Sequence, residues 1–407
     1  MDRLDNTVRP YAWGSTTAIP ALLGVEPTGE PQAELWMGAH PGAPSLVDRG
    51  TGVAAGTDGL SPLTDVIAAD PDRELGPESH AAFGPRLPFL LKLLAADAPL
   101  SLQVHPDLAQ AAAGFADEEA RGVPLDAAHR TYKDDQHKPE LICALTPFEG
   151  LCGFREPDRT AALMDALGVD GLKPYADLLR ASPPGAALRE VFTAILTADA
   201  ERQAESVHAT GRAAAELAES GGEFAAACAA YARLADSYPG DRGVLAALLL
   251  NHVRLAPGEA LYLAAGVPHA YLTGLGVEIM ANSDNVLRCG LTPKHVDVPE
   301  LLRIVEFTGG EPSVLRPEAG PDGEERYATP AREFRLSRRQ LAPGGAPASL
   351  PGGRPQILLA TAGTVRLNSG DGAELVLEAG RSAYVAAGAG PVSATGDGTL
   401  FRATVGI

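Results

Sequence analysis

The sequence predicts a mainly β protein interrupted by one helical block and completed by a small β unit at its C-terminus. Three observations predict this. Residues 1–155 and 251–310 are rich in Pro, Gly and short apolar or alternating runs, the marks of strands joined by turns. From about Glu156 to Leu250 the texture changes to Ala, Leu and Arg at helical spacing. After a Gly/Pro/Glu linker at roughly 309–328, residues 325–407 return to short alternating runs separated by Gly turns.

Each element has its own signal. "LPFLLKLLAA" (Leu87–Ala96) reads as a near-continuous apolar strand. "PLSLQVHPD" (Pro99–Asp107) alternates: Leu100, Leu102 and Val104 would pack behind, while Ser101, Gln103 and His105 share the other face. "PELICALTPFEGLCGF" reads as one or two strands broken at Thr146-Pro147. In the helical block, Leu188, Val191, Phe192, Ile195 and Leu196 form the apolar stripe of a helix, with Ser182 as its start signal. Phe224, Cys228, Tyr231 and Leu234 mark a second stripe, and the block's single His, His208, leaves it a scaffold or lid without chemistry. Strand character returns at "GEALYLAAGVPHAYL" and continues through "GVEIMANSDNVLRCGLTPKHVDVPELL". The runs "EFRLSRRQL", "QILLATAGTVRLN", "ELVLEAG", "SAYVAAG" and "TLFRATV" suggest a closing sandwich or barrel. They contain no His, Cys or Lys, so no metal or general-base role is expected there.

Composition narrows the partners. A net charge of −19 argues against nucleic acid and anionic membrane, both of which need a basic surface. An anionic substrate would have to be caught by a local cluster against the global field. No run approaches the ~20 apolar residues of a membrane span, and the N-terminal segment lacks the apolar core of a signal peptide. Cys143, Cys152, Cys228 and Cys289 have no CxxC spacing and read as reduced, buried thiols of a cytoplasmic protein. Only five of the 33 basic residues are Lys, and four of these (Lys92, Lys133, Lys138 and Lys294) fall in the segments that carry candidate chemistry.

Ser101, Gln103 and His105 project together from one strand face. "YKDDQHKPELI" sets Lys138 and Glu140 two apart at a strand start, and "LAAGVPHAY" sets His269 at a tight corner. Gln103, His105, Glu140 and His269 make a credible N/O set for Zn²⁺ with open room for water or substrate. Two core histidines and a surface Glu would give the same residues. Glu278, Asn282, Asp284, Arg288 and Lys294 fall within seventeen residues. Arg288 and Lys294 suit a bound anion, Arg through its planar fork and Lys as a point charge, although Arg288 could simply pair with Asp284. Ser101 could add a hydroxyl to a phosphate, and His40 and Trp13 could line a pocket or merely pack. No Walker loop, GxGxxG unit or GxSxG elbow is present.

Taken in order, "YAWGS", "ELWMGAHPGAPS", "LPFLLKLLAADAPLSLQVHPD", "YKDDQHKPELICALTPFEGLCGFR", "GVPHAYL" and "VEIMANSDNVLRCGLTPKHVDVPELL" resemble the type I mannose-6-phosphate isomerases over roughly residues 1–307. The resemblance implies a cupin jelly-roll catalytic domain in two parts (1–155 and 251–310), a helical insertion (156–250) and a C-terminal cupin-like β-barrel (325–407). It implies one Zn²⁺ on Gln103, His105, Glu140 and His269, an active-site Arg288, and phosphate contacts from Lys294 and Ser101, with Trp13 also at the substrate. The implied reaction interconverts mannose 6-phosphate and fructose 6-phosphate through a cis-enediol(ate). Its acid/base stays open among a zinc-bound water or hydroxide, Lys138, Glu278 and Asp284. His105 is disfavoured, because a metal-bound nitrogen cannot also take the proton. Ala264 and Cys289 depart from the usual Pro and Ala but remove no ligand or charge. The expected partner is a small sugar phosphate, with no nucleic acid, no membrane and a monomeric chain. Two rivals remain: an Fe(II) or Mn(II) oxygenase on the same two His and one carboxylate, and a sugar-phosphate-binding regulator without turnover.

Overall fold

The computed structural model describes residues 1–49 and 59–407: an eleven-stranded and a nine-stranded sheet, with a block of helices inserted into the first. The eleven-stranded sheet is organised by one strand, His269–Ala281, which runs through both of its halves. His269 to Thr273 pair with Phe148–Phe154, and His269 also pairs with Gln103. Gly274 to Ala281 lie between Phe89–Ala96 and Glu140–Ala144. The two halves part at a register shift between Tyr271 and Thr273. Gly274 follows at φ 124°, and a side chain there would meet the backbone of Pro147 and Phe148 at 2.8 Å. Only glycine fits that bend.

The pleat then sorts side chains by parity. Leu35, Met37, Leu91, Leu93, Val277 and Ile279 point into a core shared with Ile357, Leu359, Tyr384 and Phe401 of the second sheet. Their neighbours Glu34, Trp36, Lys92, Glu278, Met280 and Glu140 line a cavity on the opposite face. The strand expected at "LPFLLKLLAA" is Phe89–Ala96 with all eight residues buried, because both of its faces are covered. Thr146-Pro147 does break "PELICALTPFEGLCGF" into two strands, Glu140–Ala144 and Phe148–Phe154.

Three local expectations change. Regular pairing in "PLSLQVHPD" covers only Leu102–Val104, so strict alternation stops there. Leu102 and Val104 enter the core, but Leu100 lines the cavity beside Ser101. The helix expected to start at Ser182 begins at Pro184 with Pro183 as its cap, since Pro at the first helical position presets φ and needs no N–H partner. The linker at 309–328 also supplies strands. Val314–Leu315 pairs with Ala260–Leu263 of the first sheet, and Glu318–Ala319 pairs with Glu325–Tyr327 in the second. Runs of two or three residues are too short to carry a period. Asp2–Arg3 also joins the second sheet, against Ser382–Val385.

Between Phe154 and Leu250 the chain is helical, with Pro157–Leu167, Lys173–Ala181, Pro184–Thr197, Ala200–Ser220, Ala225–Ser237 and Gly243–Ala247 as α-helices. Their apolar faces form one core with Leu102, Val104, Leu151 and Leu287 of the sheet. All four cysteines are buried and unpaired. Among the described residues, no helix is long and apolar enough to cross a membrane. Phe192 ties the helices to the sheet, its ring edge-on to Phe154 at 5.6 Å and to Phe307 at 5.9 Å with no exposure. Phe192→Ala is expected to cost about 3–5 kcal/mol of stability, read as a lower midpoint in urea unfolding.

Candidate active site

The sheet register brings together residues that are far apart in sequence. Gln103 is the partner of His269 on one side and of Arg288 on the other. Glu140 opens its strand opposite Leu263, and Met280 flanks it on the next strand. As a result His105 Nε2 stands 3.4 Å from Glu140 Oε1, and His269 Nε2 stands 3.4 Å from Glu140 Oε2. One ligand atom from each of the three lies within 4.8 Å of the others, and all three residues are buried. Among the described residues no other such His/Cys/Asp/Glu group occurs. The carboxamide of Gln103 closes the set, its nitrogen 3.3 Å from His269 Nε2. Turning that amide over would present its oxygen instead.

Both imidazoles are oriented by the backbone. His105 Nδ1 donates to the Asn285 carbonyl at 2.7 Å, and His269 Nδ1 donates to the Val267 carbonyl at 2.9 Å. This fixes the tautomer and leaves each Nε2 lone pair aimed at the centre. Burial lowers His105 to about 4, against the opposing pull of Glu140. Burial works against the Glu140 carboxylate, but Lys138 and His105 outweigh it and hold it well below the usual range. His105 Nε2 and Glu140 Oε2 are buried with no hydrogen-bond partner. Asn285 is itself held, its side-chain amide donating to the carbonyls of Asp134 at 2.7 Å and Gln136 at 2.8 Å. Asp134 in turn accepts from Ser283 Oγ and from the Asp284 N–H, both at 2.8 Å. The "SDN" and "KDDQ" runs therefore lock one another.

The cavity of about 390 Å³ beside this cluster is lined by Trp13, His40, Ser101, Lys138, Glu278, Asp284, Arg288 and Lys294, while Asn282 lines a separate pocket. Lys138 Nζ sits 3.0 Å from Glu140 Oε1. Asp284 does not pair with Arg288. His40 takes it instead, Nε2 to Oδ1 at 3.3 Å, while the Gly42 N–H donates to His40 Nδ1 at 3.0 Å. The His40 contact, more than any other neighbour, holds the Asp284 carboxyl below its usual range. Arg288 is left with burial alone acting on it, which lowers it, and Lys294 is lowered mainly by Arg288. Arg288 and Lys294 thus stand at the cavity as neighbouring cations, and among the described residues neither makes an ion pair with a carboxylate.

Sequence reasoning gave Lys92 no role beyond its scarcity and missed Glu34 and Trp36. Lys92 Nζ bridges Glu34 at 3.5 Å and Glu278 at 3.2 Å, under the face of Trp36 at 5.2 Å, and all four are buried. Trp36 Nε1 donates to Glu34 Oε2 at 2.6 Å. Burial opposes the Lys92 charge, but Glu34 and Glu278 raise it far above the usual amine. Burial, against Lys92, raises Glu278. The available signal was one Lys amid "FLLKLLAA". His40, read as packing or pocket, does both, its ring edge-on to Trp36 at 4.7 Å. Tyr238, from the helical block, also lines the cavity without any sequence signal.

A family model described as phosphomannose isomerase type I, catalytic domain, matches residues 1–157. The chain is 40% identical over 404 residues to the mannose-6-phosphate isomerase of Escherichia coli (strain K12), with 99% of each covered. It is 32% identical over 394 residues to mannose-6-phosphate isomerase 1 of Arabidopsis thaliana, covering 90% of this chain and 85% of that one. The crystal structure of mannose 6-phosphate isomerase from Salmonella typhimurium bound to its substrate fructose 6-phosphate and zinc is similar at a TM-score of 0.89. That match has 37% identity and covers 100% of both chains.

Lys92→Met tests the buried charge row without touching the imidazole cluster. It leaves Glu34 and Glu278 buried without their cation, which is expected to cost about 3–5 kcal/mol in urea unfolding. Adding Glu278→Gln in the same chain should recover part of that loss.

Proposed function

The chain belongs to the type I phosphomannose isomerases, and we propose that it interconverts D-mannose 6-phosphate and D-fructose 6-phosphate with one Zn²⁺ held by Gln103, His105, Glu140 and His269. The observation that carries this reading is the pair of buried, unpartnered atoms, His105 Nε2 and Glu140 Oε2, converging with His269 Nε2. Buried polar atoms are nearly always satisfied, and a cation satisfies all of them at once. Two imidazoles, a carboxylate and an amide oxygen suit zinc. The same relationship makes us read the first sheet as a cupin jelly roll formed by residues 1–155 and 251–310, with 156–250 as its helical insertion. The bend at Gly274, which lets one strand serve both halves, supports that reading. Residues 325–407 are taken as a second cupin-like barrel.

Isomerisation moves a proton between C2 and C1 through a cis-enediol(ate). Bound zinc supplies a Lewis acid and template for the sugar oxygens. Arg288 and Lys294 hold the phosphate with Ser101, so remote binding energy aligns the reacting carbons. Arg288 also stabilises charge that develops in the half-buried pocket. Of the side chains considered for the proton, Lys138 is tied to Glu140 and Asp284 is lowered by His40. Glu278 lines the cavity and is raised by burial against the pull of Lys92, and we assign it the transfer. Lys92 orients it. The unpaired Arg288 and Lys294 favour a sugar phosphate over the substrate of an oxygenase.

A coupled assay for fructose 6-phosphate formed from mannose 6-phosphate should lose its signal on chelation and regain it with zinc. His269→Ala should lose bound zinc and turnover together. Arg288→Ala should keep its zinc while turnover falls, and metal loss in that variant would refute its role. Glu278→Gln should keep zinc and substrate affinity while kcat drops ~10²–10⁴-fold. A near-normal kcat would return the proton to one of the other groups.

A further inference from the structure

Four observations meet where the helical block reaches the anion end of the cavity. Tyr238, just past the helix Ala225–Ser237, donates its hydroxyl to the Pro99 carbonyl at 2.7 Å, two residues before Ser101. Asp241 uses both carboxylate oxygens: Oδ2 accepts from the Thr292 N–H at 3.0 Å, and Oδ1 accepts from the Gly243 N–H at 2.7 Å. Thr292 Oγ1 accepts from the Lys294 N–H at 3.1 Å, continuing the chain of bonds to the cation. Gly243 and Gly290 touch backbone to backbone, since a side chain on Gly290 would meet Gly243 Cα at 2.5 Å.

The loop secured in this way is strained. Leu291, between Arg288 and Lys294, has φ 57° and is the one non-glycine among the described residues in the left-handed region. That conformation is disfavoured for a branched side chain and persists only where its surroundings impose it. Leu291 is 1% exposed and shares the core of the helical block with Val244 and Leu245. The 238–243 turn is anchored in its own right, with the Arg242 guanidinium on the Leu196 carbonyl and the Asp241 N–H on the Tyr238 carbonyl.

We propose that the turn Tyr238–Gly243 of the helical block is the positioning device of the phosphate clamp. Asp241 fixes the Leu291–Lys294 loop, and Tyr238 fixes the segment leading to Ser101. Neither residue need touch the reacting carbons. The turn sets how tightly the phosphate is held and so how strongly a phosphorylated sugar is preferred to the free sugar. This rests on the assignment of Arg288, Lys294 and Ser101 to the phosphate, and the block read from sequence as a scaffold or lid becomes part of the specificity apparatus.

The test uses the zinc-loaded full chain and compares Asp241→Ala, Asp241→Asn, Tyr238→Phe and Lys294→Ala. The measurements are kcat, KM for mannose 6-phosphate, the competitive Ki of inorganic phosphate, and bound zinc. Asp241→Ala should raise KM and the phosphate Ki in parallel by about tenfold, the scale of one lost charge-assisted hydrogen bond. Its kcat and zinc content should stay near the parent values. Asp241→Asn, which keeps one acceptor oxygen, should recover part of the loss. Tyr238→Phe keeps its ring and should fold even if Asp241→Ala does not, and it should shift both constants in the same direction by a smaller factor. If Lys294→Ala raises KM and Ki while Tyr238→Phe, and Asp241→Ala where it folds, leave both unchanged, the clamp stands and the positioning role is refuted. If Lys294→Ala itself changes neither constant, the phosphate assignment fails and the proposal fails with it.

Discussion

The site depends on the parity of one strand. Along His269–Ala281 the pleat sends Val277 and Ile279 into the core shared by the two sheets and Glu278 and Met280 into the cavity. A slip of one residue would exchange the two sets and bury Glu278 in hydrocarbon. The same strand places His269 opposite Gln103 and Glu278 opposite Lys92, so it fixes both the imidazole cluster and the buried charge row. The bend at Gly274 makes this compatible. Before it the strand serves the partners that carry Gln103, and after it those that carry Lys92 and Glu140.

Charge is partitioned along the cavity in a way the net value of −19 conceals. At its base, the carboxylates of Glu34, Glu140 and Glu278 are answered by Lys92 and Lys138 within hydrogen-bonding or near-contact distance. At its mouth, Arg288 and Lys294 make no ion pair with a carboxylate among the described residues, and Asp284 pairs with His40. Matched charges at the base hold a fixed field for chemistry at low reorganisation cost. Under the proposed phosphate assignment, cations left unmatched at the mouth would let an otherwise acidic protein hold an anion. Placing one more carboxylate near Arg288 would cancel that advantage.

Sequence captured the parts of this arrangement that repeat with a period or sit in long ordered motifs. The apolar strand at Phe89–Ala96, the helical stripe through Phe192, and the grouping of Gln103, His105, Glu140 and His269 were all legible. Lys92 was visible only as an oddity, because its meaning comes from Glu34 and Glu278, which register places beside it from distant strands. Leu100 was assigned to the wrong side because the regular ladder that enforces alternation begins at Leu102, while Leu100 makes an isolated backbone bond to the Tyr271 carbonyl. The strand roles of Asp2–Arg3 and Val314–Leu315 were illegible for a simpler reason: two residues carry no pattern. Tyr238 and Asp241 left no trace, since what they bind is backbone, and a carbonyl or an N–H has no sequence signature.

Leu291 shows how far the helical block is involved. A left-handed conformation costs a non-glycine residue roughly 1–2 kcal/mol, and glycine at that position would remove the cost. A glycine would also remove a buried side chain from the core it shares with the helical block, and burying a Leu is worth about 1.5–3 kcal/mol. The two figures are of the same order, so burial of the side chain can offset the strain, but only while the helices are present to receive it. The loop carrying Lys294 therefore keeps its shape through contact with an element that is separate from it in sequence and contributes no zinc ligand. That dependence gives the helical block a physical reason to sit against the end of the cavity that carries Arg288 and Lys294 and not elsewhere on the sheet.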